Sequence, residues 1–100
     1  MKKILLCCAA GMSTSLLVNK MKAEAEKRGI EVEIWAEPLD KAKEEFAKAD
    51  VVLLGPQVKY ALPEAKKIAE ENNINIDVIN MVDYGMMNGA KVLDQALKLL

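Results

Sequence analysis

Apolar residues gather in four short runs along the chain: Lys3 to Cys7, Glu31 to Ala36, Val51 to Leu54 and Asn75 to Ile79. Each is bounded by turn residues and is β-branched or leucine-rich, the pattern of short strands. The first and third are nearly continuous, as strands covered on both faces are. The second alternates, with Val32, Ile34 and Ala36 set against Glu31, Glu33 and Trp35. That alternation predicts a half-exposed strand at the edge of a sheet.

Between these runs the spacing changes to three and four. Leu17, Met21 and Ala25 predict a helix that begins near Ser15 and stops at Gly29. Leu39, Ala42, Phe46 and Ala49 predict a second, with Pro38 near its start. Pro63 opens a third through Ala65, Ile68 and Ala69, fading at Asn72 and Asn73. The strongest stripe is the last: Val92, Leu93, Ala96, Leu97 and Leu100, with Asn88 placed as its N-cap. The resulting order, β-α-β-α-β-α-β-α, implies right-handed crossovers and a single α/β domain with a parallel sheet and helices on both faces. There is no linker, repeat or low-complexity segment. Ligands of such sheets bind beyond the carboxyl ends of the strands, so the stretch after the first strand is a prime location.

Composition narrows the function classes. The chain has 100 residues, 52% of them hydrophobic and 29% charged, with a net charge of −1. A near-zero balance argues against a nucleic-acid surface, which needs a basic excess. No apolar stretch reaches the roughly 18 residues that cross a bilayer. Met1-Lys2-Lys3 followed by an apolar run resembles a signal peptide, but the run ends in Gly-Met-Ser-Thr-Ser and enters a helix, so the chain reads as cytoplasmic. Two cysteines make no disulfide framework. With no histidine, a zinc site would need carboxylates and two adjacent thiolates, a poor ligand geometry.

The candidate chemistry lies in Cys8 to Ser15. A strand, a small-residue turn and a helix start point successive backbone N–H groups into a concavity, and the helix N-terminus adds partial positive charge. Gly11 permits a backbone conformation that other residues resist. Ser13, Thr14 and Ser15 can donate hydroxyl hydrogen bonds or cap the helix. The result is an anion cradle, and a cysteine at its lip would feel a field that favours the thiolate. The same residues also read as a plain helix N-cap after a strand, with Cys8 a small buried residue. The loop lacks the Gly-Lys-Ser/Thr ending of a Walker A loop. Alternation turns the Cys7 side chain away from that of Cys8, into the core. There is no Cys-x-x-Cys motif.

Three segments carry a family resemblance. "CAAGMSTSLLVNKMKAEAEKRG" (Cys8 to Gly29) resembles the active-site loop and first helix of enzyme IIB of the lactose/cellobiose/chitobiose class, a component of the bacterial sugar phosphotransferase system. "ADVVLLGPQVKYALPE" (Ala49 to Glu64) is similar to a second family segment, and "DVINMVDYGMMNGAKVL" (Asp77 to Leu93) to a third. The resemblance implies a sheet of order 2-1-3-4, similar to low-molecular-weight tyrosine phosphatases. It also implies that Cys8 takes a phosphoryl group from a phosphohistidine of enzyme IIA. The group then passes to a sugar bound in the membrane component, enzyme IIC.

Under that resemblance Ala9, Ala10, Gly11, Met12, Ser13, Thr14 and Ser15 cradle the phosphate, with Ala9 where relatives can carry Ser. The phosphatases end their loop with an arginine six positions after the cysteine, where this chain has Thr14. The loop after the third strand should lie beside the first, bringing Gln57 and Tyr60 towards the phosphate or a partner, unless Tyr60 merely packs on the surface. Tyr84 is expected in partner docking, and Asp83 in helix capping or on the surface. Met12, Met81, Met86 and Met87 suit a surface that binds IIA and IIC in turn. No cofactor, metal or nucleic acid is implied. The implied form is a monomeric domain, transiently at the inner face of the membrane, acting on cellobiose or chitobiose in preference to lactose. A cysteine phosphatase and a regulatory IIB-like module are the alternatives.

Overall fold

The computed structural model describes residues 1–9 and 12–100, with Met12 and Ser13 described through their backbone alone. The longest continuous apolar run forms β1 (Lys2–Cys8), and Ile4 to Cys8 are all buried, as a strand with neighbours on both edges and helices on both faces requires. β2 (Val32–Pro38) pairs along one edge of β1 and β3 (Val51–Leu54) along the other. β4 (Asn75–Val78) lies outside β3. All pairings are parallel and the order is β2-β1-β3-β4. The alternating strand is at an edge, as its pattern predicts.

Side-chain alternation divides the core in two. On one face Ile4, Leu6, Ile34, Val51 and Leu53 pack with Leu17 and Met21 of α1 (Met12–Lys27) and with Val92, Leu93 and Ala96 of α5 (Gly89–Leu99). On the other, Leu5, Cys7, Val52 and Leu54 meet Ala42 of α2 (Leu39–Glu45), Phe46 just beyond it, and Ala65 and Ala69 of α3 (Leu62–Glu71). No helix among the described residues is long and apolar enough to cross a membrane.

Several boundaries differ from those the pattern predicts. α1 starts at Met12, not near Ser15, so three hydroxyl residues that look like loop occupy its first turn. β1 continues through Cys8, which makes the second cysteine the last strand residue. β2 runs on to Pro38, tolerable because a proline without an N–H does no harm at a strand end on the sheet edge. The helix expected over Leu39 to Ala49 tightens after Glu45 into a 3-10 turn, Phe46–Lys48. A further 3-10 stretch, Pro56–Ala61, precedes α3. The short α4 (Met81–Gly85) has no counterpart in the pattern.

The expected stops and caps hold. Gly29 ends α1 at φ +70°, with Ile30 N–H donating to the Ala25 carbonyl at 2.9 Å. Asn88 Oδ1 accepts from Lys91 N–H at 3.1 Å and starts α5. Gly89 is required by contact rather than by conformation. A Cβ there would lie 2.7 Å from the carbonyl carbon of Lys20, so α5 touches the α1 backbone.

Candidate functional site

The parallel register brings the four strand ends level: Cys8 stands opposite Pro38, Cys7 opposite Leu54, and Leu54 opposite Val78. The segments after them converge at this edge. Gly55 N–H donates to the Cys7 carbonyl at 2.8 Å, and Ile79 N–H to the Leu54 carbonyl at 2.8 Å.

Cys8 ends β1 with its side chain 1% exposed. Its thiol donates to the Glu37 carbonyl, with sulfur and oxygen 3.7 Å apart. This contact needs the thiol proton, so it is lost when the sulfur is ionised or bonded to another group. Cys7 points into the opposite core, among Leu5, Val52 and Phe46. Burial, assisted by the negative field of the Cys8 sulfur, pushes the Cys7 thiol up to about 12. Neighbours in sequence are thus one inert thiol and one thiol at the open end of the sheet. Both are free of disulfides.

Beyond Cys8, Ala9 is an exposed bend and α1 follows within three residues. The first N–H groups of a helix have no partner within it. The first turn of α1 carries no acidic side chain to neutralise them. The expectations for Ala10 and Gly11, and for the side chains of Met12 and Ser13, fall outside the described residues. Ser15 lies on the exposed side of α1.

Thr14 is the one buried polar residue among those described. Its hydroxyl lies 3.2 Å from the Tyr84 hydroxyl of α4. Gln57 Nε2 donates to the same Tyr84 oxygen at 2.6 Å. Three segments that follow three different strands therefore meet at one phenolic oxygen. Tyr60 does not join them: it is 74% exposed and points to solvent, in line with a surface position.

Two local devices hold this arrangement. Asn80 Oδ1 accepts from Val82 N–H at 2.9 Å and Asp83 N–H at 3.1 Å, starting the single turn that carries Tyr84. Asp83 sits in that first turn, and its carbonyl accepts from Asn88 N–H at 2.9 Å. At Gly55 a Cβ would come within 2.5 Å of Gln57 Oε1, so the glutamine folds back over a position that only glycine leaves empty. The signal for Asn80 is present in the sequence, an Asn three residues before Asp83. The Glu37 carbonyl has none, being backbone.

The site has no guanidinium. The chain's single arginine, Arg28, follows the other end of α1, about 24 Å from its start at 1.5 Å per residue. There it is committed to Glu24 at 2.7 Å and Asp94 at 2.6 Å. Among the described residues, no group of three or more His, Cys, Asp or Glu is placed to hold a metal ion. Leu16 of α1, Tyr60 after β3, Met81 and Val82 of α4 and Met86 just beyond it are exposed apolar residues.

Comparison with known proteins is consistent along the whole chain. A family model described as "PTS system, Lactose/Cellobiose specific IIB subunit" matches residues 3–95. The oligo-beta-mannoside-specific EIIB component of Bacillus subtilis is 55% identical, with 100% of this chain and 97% of that protein covered. The cellobiose-specific EIIB component of Lactococcus lactis subsp. lactis is 48% identical, with 99% and 96% covered. The galactose-specific EIIB component of Lactococcus lactis subsp. cremoris has the same identity and coverage. Among solved structures, the cellobiose-specific IIB protein of Borrelia burgdorferi superposes with a TM-score of 0.81 at 40% identity, covering 98% of this chain and 90% of that one. The lactose-specific IIB domain of Streptococcus pneumoniae superposes with a TM-score of 0.88 over 98% and 96% of the two chains. At 23% identity that likeness concerns the fold.

Proposed function

Because the chain belongs to the lactose/cellobiose-specific IIB family of the sugar phosphotransferase system, and is therefore a phosphotransferase subunit, we propose that Cys8 is its phosphoryl carrier. Proteins of this kind work with an enzyme IIA and a membrane enzyme IIC. In the proposed cycle the Cys8 sulfur attacks the phosphorus of a IIA phosphohistidine. The S–P bond forms as the P–N bond breaks, and the proton given up by the thiol ends on the released imidazole. A sugar hydroxyl held by IIC then attacks the phosphorus. The S–P bond breaks, the sulfur leaves as thiolate, and the hydroxyl proton passes to a base on the acceptor side.

The observation that carries this reading is the position of Cys8: the last residue of the central strand, directly before the N-terminus of a 16-residue helix without first-turn acids. Backbone N–H groups there, with the hydroxyls of Ser13, Thr14 and Ser15, would hold the phosphoryl oxygens. With Ala9 to Met12 they form the proposed cradle. The remote Arg28 fits a relay, which must hold phosphocysteine without driving its hydrolysis. The thiol contact to Glu37 is given up when sulfur binds phosphorus, which turns the side chain from the sheet edge towards the cradle.

The exposed apolar residues Met81 and Val82 of α4, with Met86 just after it, suit a surface that meets IIA and IIC in turn. We place the sugar among β-linked disaccharides of the cellobiose and chitobiose kind. The relative specific for oligo-beta-mannosides shares the β linkage. Mass spectrometry of the chain after incubation with phosphorylated IIA tests the proposal. One added phosphoryl group, located on Cys8 and absent from Cys8→Ser, is the expected result. A phosphoryl group on Cys7 or on no cysteine overturns it.

A further inference from the structure

We propose that Tyr84 is a positioning residue for the transfer step, its hydroxyl fixing the Thr14 side chain at the start of α1 under the control of Gln57. The proposal rests on the carrier role of Cys8 for its kinetic readout, though not for its structural one.

Two hydrogen bonds at one phenolic oxygen carry the case. A phenolic oxygen has one proton to give and lone pairs that accept. The Gln57 Nε2 group is only a donor, and at 2.6 Å it occupies a lone pair of Tyr84 Oη. The amide oxygen of Gln57 lies over Gly55 at the same time, in space that a side chain there would fill. The same phenolic oxygen lies 3.2 Å from Thr14 Oγ1, a hydrogen bond in which either hydroxyl can donate. The contact fixes where the Thr14 hydroxyl lies. Thr14 is 0% exposed in the first turn of α1, the turn whose N–H groups have no partner within the helix itself. A buried hydroxyl with its position fixed costs little reorganisation when charge arrives. The polarised run Gln57–Tyr84–Thr14 also strengthens each member. It couples the three segments that follow β1, β3 and β4.

The experiment uses the full chain. Tyr84→Phe removes one oxygen and keeps the ring against the core. With phosphorylated IIA as donor, kcat is expected to fall about tenfold with KM for IIA unchanged, the scale of one hydrogen bond felt in the transition state. Gln57→Ala is expected to lower kcat severalfold alone and not at all in the Tyr84→Phe background. Gly55→Ala, which displaces the glutamine amide, should repeat the Gln57→Ala result. Thr14→Ser should retain transfer where Thr14→Val does not.

In the free chain, Gln57→Ala should shift the Thr14 and Ser15 amide resonances, and should leave them unmoved once Tyr84→Phe is present. Additive shifts overturn the tether. So does wild-type kcat in Tyr84→Phe. If the wild-type chain accepts no phosphoryl group at Cys8, the carrier reading fails while the amide shifts still judge the tether.

Discussion

On the α2/α3 face of the sheet, Leu5, Cys7, Val52 and Leu54 close against Ala42, Phe46, Ala65 and Ala69. On the α1/α5 face the same strands present Ile4, Leu6, Val51 and Leu53, but the apolar packing gives way at the carboxyl end to Thr14 and Tyr84. The first face is finished by hydrophobic contact. The second ends in a polar cluster beside the start of a 16-residue helix. Two adjacent cysteines fall to different faces because a strand turns successive side chains in opposite directions. The contrast is one of position: identical side chains, one step apart, have unlike surroundings.

Exchanging the cysteines is the largest test of that contrast. Cys8→Ser is expected to abolish phosphoryl transfer, since a serine hydroxyl is a far weaker nucleophile. Cys7→Ala should leave transfer near wild type, both read as phosphorylated protein per minute. The reverse result would erase the distinction between the faces.

Next is Gly89→Ala, which forces a methyl into the α1 backbone at Lys20. Overpacking of this kind costs about 1–3 kcal/mol, measured by urea unfolding. An alanine substitution without loss would mean that α1 and α5 are not in backbone contact.

The α2/α3 face gives a signature in alkali. Cys7 has its thiol raised from 9.0 to about 12. Below pH 9 both folded and unfolded forms keep the proton, and the group has no effect. Above it the unfolded chain releases the proton while the folded chain holds it, so stability falls as pH rises towards 12. By pH 10 this one thiol accounts for about 1 kcal/mol. The difference in unfolding free energy between wild type and Cys7→Ala should therefore shrink from pH 9 upwards. A constant difference would move Cys7 out of the core.

The smallest effect is expected at Asn80→Ala. Losing the cap of α4 costs about 1 kcal/mol in thermal unfolding. It should also reduce transfer by loosening Tyr84, which a cap remote from the polar cluster would not do.

The strands and the long helices were legible because their signals are periodic and local. Val51 to Leu54 and the stripe from Val92 onward needed only spacing to identify. So was Cys7, whose burial follows from alternation. α4 was not legible, since five residues are too few for a period, and its start rests on a single asparagine. The start of α1 was misjudged because Ser and Thr favour loops when alone. Here Thr14 is held in the first helical turn by a tyrosine 70 positions away. Gln57 and Tyr84 were each legible as residues near the first loop. Their meeting was not, because it depends on a register between strands that no local spacing encodes.

The contact of Gly89 with the backbone of Lys20 has a consequence for the order of events during synthesis. Synthesis proceeds at about 5–20 residues per second, so roughly ten seconds separate the emergence of Cys8 from that of α5. Until then the first helix packs on the strands without its neighbour α5, and Tyr84 has only just appeared to meet Thr14. In a growing chain both cysteines are therefore made well before Tyr84 and α5 complete this part of the molecule.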